Sequence, residues 1–186
     1  MLADHRNLTH LDNQRGWVLV VGLVILVMLT ILSTALMKTT RLEEKMAGAT
    51  RDMNLSFQAA ETALRAAETF IDSINNPSIF DTTVPANGIY KKQHDEPEEL
   101  FLPSTWVGKS AEIDGDLEGV PVLPRYMIKR LRKKLSGALV FRITARGTGS
   151  TDNRATLLRS HYTKHFGAST SVTPRRLSWQ QLFPSQ

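Results

Sequence analysis

The chain predicts an α+β fold: one long N-terminal helix, first transmembrane and then amphipathic, packed on a small antiparallel sheet. Three observations carry this expectation. Residues 17–37 form an apolar run without a charged side chain. A helical stripe follows it without a proline until Pro77, and alternating segments gather between residues 125 and 163. A helix with one apolar face and a sheet with one apolar face each need a partner, and each supplies the other's.

Residues 1–16 are polar, with Arg6 and Arg15 balanced by Asp4 and Asp12, and read as a leader. The 21 residues WVLVVGLVILVMLTILSTALM that follow, at roughly 1.5 Å rise per residue, cross the ~30 Å hydrocarbon core of a bilayer. A secretory signal peptide is normally shorter and is cut on its far side, so the Gly16 that ends the polar leader points to processing on the cytoplasmic side instead. The flanking charges lean the other way. Arg6 and Arg15 precede the span, whereas Lys38, Arg41 and Lys45 follow it, which opposes a cytoplasmic N-terminus under the positive-inside rule. The leader carries that orientation.

Past the span, Leu42, Met46, Ala49, Met53, Phe57, Ala60, Leu64, Ala67, Ile71 and Ile74 recur at spacings of three and four, tracing one stripe down a helix over residues 38–76. Pro77 supplies the stop. Gly22 and Gly48 are its weak points, each costing about 1 kcal/mol relative to Ala. Glu61 with Arg65 and Arg41 with Glu44 are spaced as surface pairs.

Residues 77–124 hold six of the eight prolines and read as an irregular excursion of loops and short strands. Three extended segments follow. Arg125 begins one that places Tyr126 and Ile128 on a common face. The next sets Leu139, Phe141, Ile143 and Ala145 against Val140, Arg142, Thr144 and Arg146. The third holds Leu157 and Leu158 side by side, which leaves its inward face open. Turn-rich links over residues 132–137 and 147–153 favour an antiparallel meander. Residues 164–186, rich in Ser, Thr and Pro, read as a flexible tail.

The net charge of +5 is unevenly distributed. Residues 38–119 carry 8 basic and 15 acidic side chains, and residues 120–186 carry 13 basic and one acidic. This polarity fits head-to-tail association, a basic surface for nucleic acid or anionic lipid, or plain solubility. Lys129, Arg130, Arg132, Lys133 and Lys134 concentrate it, and read as a solvated hairpin tip with phosphate or DNA binding as the alternative. Asp114, Asp116 and Glu118 stand at every second position, like the opening of a calcium loop. The late bidentate Glu is missing, because Arg125 occupies its place, and a solvated acidic loop is preferred. His161 and His165 lack a placed carboxylate and read as surface residues. There is no cysteine, which excludes disulfides and thiolate metal sites, and no defensible catalytic constellation or phosphate-cradling loop occurs. The expectation is a non-enzyme without a cofactor.

The strings Gln14-Arg15-Gly16, Lys38-Thr39-Thr40-Arg41-Leu42-Glu43-Glu44-Lys45-Met46-Ala47-Gly48, Arg51-Asp52, Phe57-Gln58-Ala59-Ala60-Glu61 and Phe141-Arg142-Ile143-Thr144-Ala145-Arg146-Gly147 resemble the PilX-type minor pilins of type IV pilus assembly. The resemblance covers residues 14–70 and, less closely, 125–163. It implies cleavage after Gly16 by a prepilin peptidase, N-methylation of Trp17, and an inner-membrane precursor that enters a periplasmic and extracellular fibre. Its implied partners are other minor pilins, the major pilin and the inner-membrane assembly platform. Two departures stand out: Trp17 where Phe or Met is usual, and Val21 at the fifth mature position, where major pilins carry a glutamate. A subunit lacking that carboxylate lacks the partner for a neighbour's amino terminus, which points to a priming or tip position. The alternatives are a pseudopilin of a type II secretion system and a plain single-span anchor for a periplasmic binding or sensory domain.

Overall fold

The computed structural model describes residues 12–81, 87–90, 96–113, 117–135, 138–151, 154–166 and 173–184, the side chains of 12–15 and 132–135 excepted. Helix α1, Asp12–Ser73, passes through two compact units, residues 1–49 and residues 50–186. It begins upstream of the expected start at Trp17 and ends before Pro77.

In the first unit α1 exposes every side chain described. Its apolar residues from Trp17 to Met37 are therefore available to lipid or to other helices. Leu42 and Met46, which open the predicted stripe, are exposed too.

In the second unit α1 lies on a six-stranded mixed sheet with strand order β1-β3-β4-β5-β6. The strands are β1 Ile89–Tyr90, β2 Ala111–Glu112, β3 Arg125–Leu135, β4 Ala138–Thr148, β5 Ala155–Lys164 and β6 Arg175–Leu182. Strands β3 to β6 form an antiparallel meander, β1 pairs with β3 in parallel, and β2 pairs with β3 antiparallel. The sheet thus differs from the expected antiparallel three strands by the parallel β1, by the short antiparallel β2 and by β6, which lies in the segment expected to be a flexible tail.

The stripe is buried where it meets the sheet. Ala60, Ala63, Leu64, Ala67 and Ile71 are fully buried against Ile128, Phe141, Ile143, Ala145 and Leu158. Small residues let α1 come close, and Gly147 lets it closest. A Cβ at Gly147 would lie 2.1 Å from the Ala60 backbone nitrogen and 2.4 Å from the Ser56 carbonyl oxygen. Gly88 has the same character at the sheet edge: its φ is +75°, and a Cβ would meet the Ala111 nitrogen at 2.5 Å.

The far face of the sheet is covered as well. Tyr90, Leu100 and Trp106 pack on Met127 and Leu157, and the Trp106 indole donates to the Leu100 carbonyl at 2.7 Å. This settles the adjacent leucines of β5: Leu158 joins the helix-side core, and Leu157 joins the far one. The excursion over residues 77–124 supplies the cover.

Three polar clasps hold the second unit. Asp52 accepts from the Ser150 backbone N–H at 2.6 Å and from its hydroxyl, and these bonds hold the Asp52 carboxyl below the usual carboxylate range. The Lys164 ammonium donates to the carbonyls of Ile71, Asp72 and Ile74 at 2.8, 2.6 and 2.7 Å, satisfying the C-terminal end of α1 that Pro77 leaves without continuation. Arg176 of β6 donates to Glu68 at 2.7 and 3.0 Å and to Glu61 at 3.2 Å. Glu61 therefore does more than pair with Arg65 on a solvated surface.

Candidate assembly segment and head surfaces

The N-terminal segment is built to be buried by something other than its own chain. Trp17 is 75% exposed and Val21 40% exposed. Its hydroxyls are satisfied within the helix: Thr30 donates to the Leu26 and Val27 carbonyls, Ser33 to Leu29, Thr34 to Ile31, Thr39 to Ala35 and Thr40 to Leu36. Such back-bonding leaves no polar group in need of water, so the run suits lipid. Among the described residues this is the single helix long and apolar enough to cross a membrane. The bond between Gly16 and Trp17 lies inside α1, so a protease acting there must first unwind the helix's opening turns.

Residues 15–65 match the family model described as PilX N-terminal. They are similar to the N-terminal segment of PilX-type pilins. The match reaches from Arg15, the residue before Gly16, through the apolar run, to the buried Ala60 and Leu64. The matched residues contain the apolar run that is long enough to cross a membrane. Neither the curated proteins nor the solved structures compared with the chain gave a match.

Outside the PilX-type segment, the basic run does not form the single patch expected of it. Residues 132–135, read from sequence as a turn, continue β3, and the side chains of Arg132, Lys133 and Lys134 lie outside the described residues. Alternation along the strand separates the other two. Lys129 is buried on the far face, while Arg130 pairs with Asp81 at 2.6 Å. Asp114 and Asp116 lie outside the described residues and Glu118 is exposed. Among the described residues no three His, Cys, Asp or Glu side chains converge as a metal site would require.

The histidines do not act as a pair. The ring Nδ1 of His161 shares a hydrogen bond of 2.7 Å with the Ser178 hydroxyl on β6, and the Nε2 of His165 is buried without a hydrogen-bond partner. Burial, then the charges of Arg142 and Arg159, push the His161 imidazole below its ordinary pKa.

Sequence reading missed the most charged part of the head. Cross-strand register sets Lys129 of β3, Arg142 of β4 and His161 of β5 in one row. In the adjacent row Thr144 faces Arg159, and both donate to Glu96, at 3.1 and 3.2 Å. The Glu96 side chain is only 5% exposed. The signal was present in the β4 alternation, where Arg142, Thr144 and Arg146 share a face, but it had no meaning until the partners across the strands were known.

Proposed function

We propose that this chain is a minor pilin that primes type IV pilus assembly and sits at or near the fibre tip. The observation that carries the reading is the uninterrupted apolar surface of α1 at Val21, within a PilX-type segment. A buried carboxylate in lipid is costly unless a cation meets it, so a repeating subunit gains from a glutamate there by receiving the next subunit's amino terminus. Val21 offers no such partner. It suits a subunit with no like neighbour docking at that level.

In this reading prepilin peptidase cuts after Gly16, Trp17 becomes the methylated N-terminus, and the precursor waits in the inner membrane with its N-terminus cytoplasmic. The assembly platform, other minor pilins and the major pilin are its partners. No catalytic step and no cofactor belongs to it.

Mass spectrometry of the protein from its native membrane tests processing: a mature chain beginning at Trp17 with one added methyl group is expected, and a retained leader overturns the reading. Immunogold labelling tests position. Label at fibre ends is expected, and label spread evenly along the fibre overturns the tip assignment. Deletion is expected to abolish twitching and leave protein export intact; the reverse result assigns the chain to a secretion pseudopilus.

A further inference from the structure

We propose that the outer edge of β6 docks an extended segment of another polypeptide, acidic at the end that meets Arg175. The inference does not rest on the filament assignment.

The backbone makes the first case. Strand β6 is the last in the order β1-β3-β4-β5-β6 and pairs with β5 alone. In an antiparallel pair every second residue turns its N–H and C=O towards the partner, and the residues between turn theirs away. The outward groups of β6 are reached by no hydrogen bond among the described residues. On the opposite side of the sheet, by contrast, β1 and β2 lie along β3 between Arg125 and Lys129. A row of alternating donors and acceptors is matched by another extended backbone.

Side chains make the second case. Leu177, Trp179 and Phe183 are three of the seven large apolar side chains exposed among the described residues of the second unit, and all three stand on β6 or next to it. Trp179 meets Phe57 edge to face, yet 43% of the residue stays open. A strand laid beside β6 covers this surface and adds a hydrophobic gain to the ladder. Ser178 faces His161 and Arg176 faces Tyr162, so Leu177 between them is unmatched. The regular ladder offered to an incoming strand is therefore residues 178–182, with Arg175 beyond its N-terminal end.

Charge selects the partner. Arg175 is exposed and makes no ion pair among the described residues, whereas Arg176 beside it is held by Glu61 and Glu68. Residues 120–186 carry 13 basic and one acidic side chain, so a second copy docking here would bring two basic halves together. A strand of a different chain with acidic residues fits instead. Antiparallel pairing, the mode of β3 to β6, sets its C-terminal end at Arg175.

The test uses the full chain in detergent at low ionic strength and reads amide hydrogen exchange. In the chain alone, β6 amides should alternate between protected and fast. Protection of all of them, or protection that rises with chain concentration, means that the chain itself or a second copy fills the edge, and overturns the proposal. The probe is the peptide acetyl-Thr-Val-Thr-Val-Thr-Glu-Glu-amide, titrated to millimolar. It should protect the fast β6 amides and bind about fivefold tighter than the same peptide ending in Lys-Lys. The peptide N-methylated at each Val and Thr keeps the side chains but loses the ladder donors, and should give no protection. R175Q should bring the Glu and Lys peptides within about twofold of each other, while K109Q, at an exposed lysine away from β6, should keep the preference. No protection by the Glu peptide, equal protection by the N-methylated one, equal affinity for the Lys peptide, or an unchanged preference in R175Q overturns the proposal.

Discussion

Replacing Gly147 by alanine should cost the head a large part of its stability, and the structure says why. The new methyl would stand 2.1 Å from the Ala60 nitrogen, 2.4 Å from the Ser56 carbonyl oxygen and 2.7 Å from the Ala59 carbonyl carbon. All three are helix backbone, which cannot swing aside as a side chain can. To restore a contact of ~3 Å, α1 and β4 must part by roughly 1 Å. Over a gap of 0.5–1 Å, packed atoms lose about a quarter to a half of their attraction, and the loss falls on the Ala60, Ala63, Leu64 and Ala67 contact. We expect a cost of about 3 kcal/mol, the upper end for overpacking. With a urea dependence of about 2 kcal/mol per molar, the midpoint should fall by about 1.5 M. Urea unfolding of the full chain in detergent, followed by Trp106 fluorescence, measures it. A G147A midpoint within about 0.3 M of wild type would refute the close-approach argument. G48A is the matched comparison, since a Cβ there meets nothing within 4 Å; its midpoint should hold or rise.

Two further expectations concern the clasps and the pH response. K164M keeps the stem but removes the ammonium that donates to three carbonyls at the end of α1; it should cost about 2 kcal/mol and speed amide exchange in β5 and the last turn of α1, and unchanged exchange there would count against the clasp. Because the His161 pKa is lowered in the folded chain, the unfolded chain binds the proton more readily, so stability present above about pH 6.5 is lost as pH falls through the folded pKa. Urea midpoints at pH 7 and pH 5 should therefore differ less in H161Q than in wild type, and equal slopes would dismiss this histidine as a contributor.

Much of the fold was legible because its patterns are periodic. The α1 stripe packs as expected from Ala60 to Ile71, while its earlier members Leu42, Met46 and Met53 are exposed; Leu139, Phe141, Ile143 and Ala145 of β4 pack on α1 as expected, and Val140, Thr144 and Arg146 on its other face are buried as well. The adjacent Leu157 and Leu158 were ambiguous for a physical reason: they are buried on opposite faces of a sheet covered on both sides, so neither could be assigned outward. The cover itself escaped notice because Leu100 and Trp106 sit among turns and short 3-10 segments, where burial has no period. Strand β6 escaped because Arg175-Arg176-Leu177-Ser178-Trp179-Gln180-Gln181-Leu182 carries no clean alternation. Its attachment comes from Arg176 reaching Glu61 and Glu68 and from Trp179 meeting Phe57 at 5.8 Å, partners that only the folded chain brings near. The apposition of Lys129 and Arg142 was illegible on the same ground, since it is a property of register.

The attachment of β6 also sets an order of events. Arg176 and Glu61 are 115 positions apart, so the head's last strand joins the first helix across nearly its whole length. Contacts of such separation form late, because the loop entropy is spent before they repay it. While the chain is being made, the carboxylates of Glu61 and Glu68 and the ring of Phe57 must wait for β6 to emerge. The membrane helix is therefore in place before the head can close, and a nascent chain halted ahead of Arg175 is anchored but still open along one edge of its sheet.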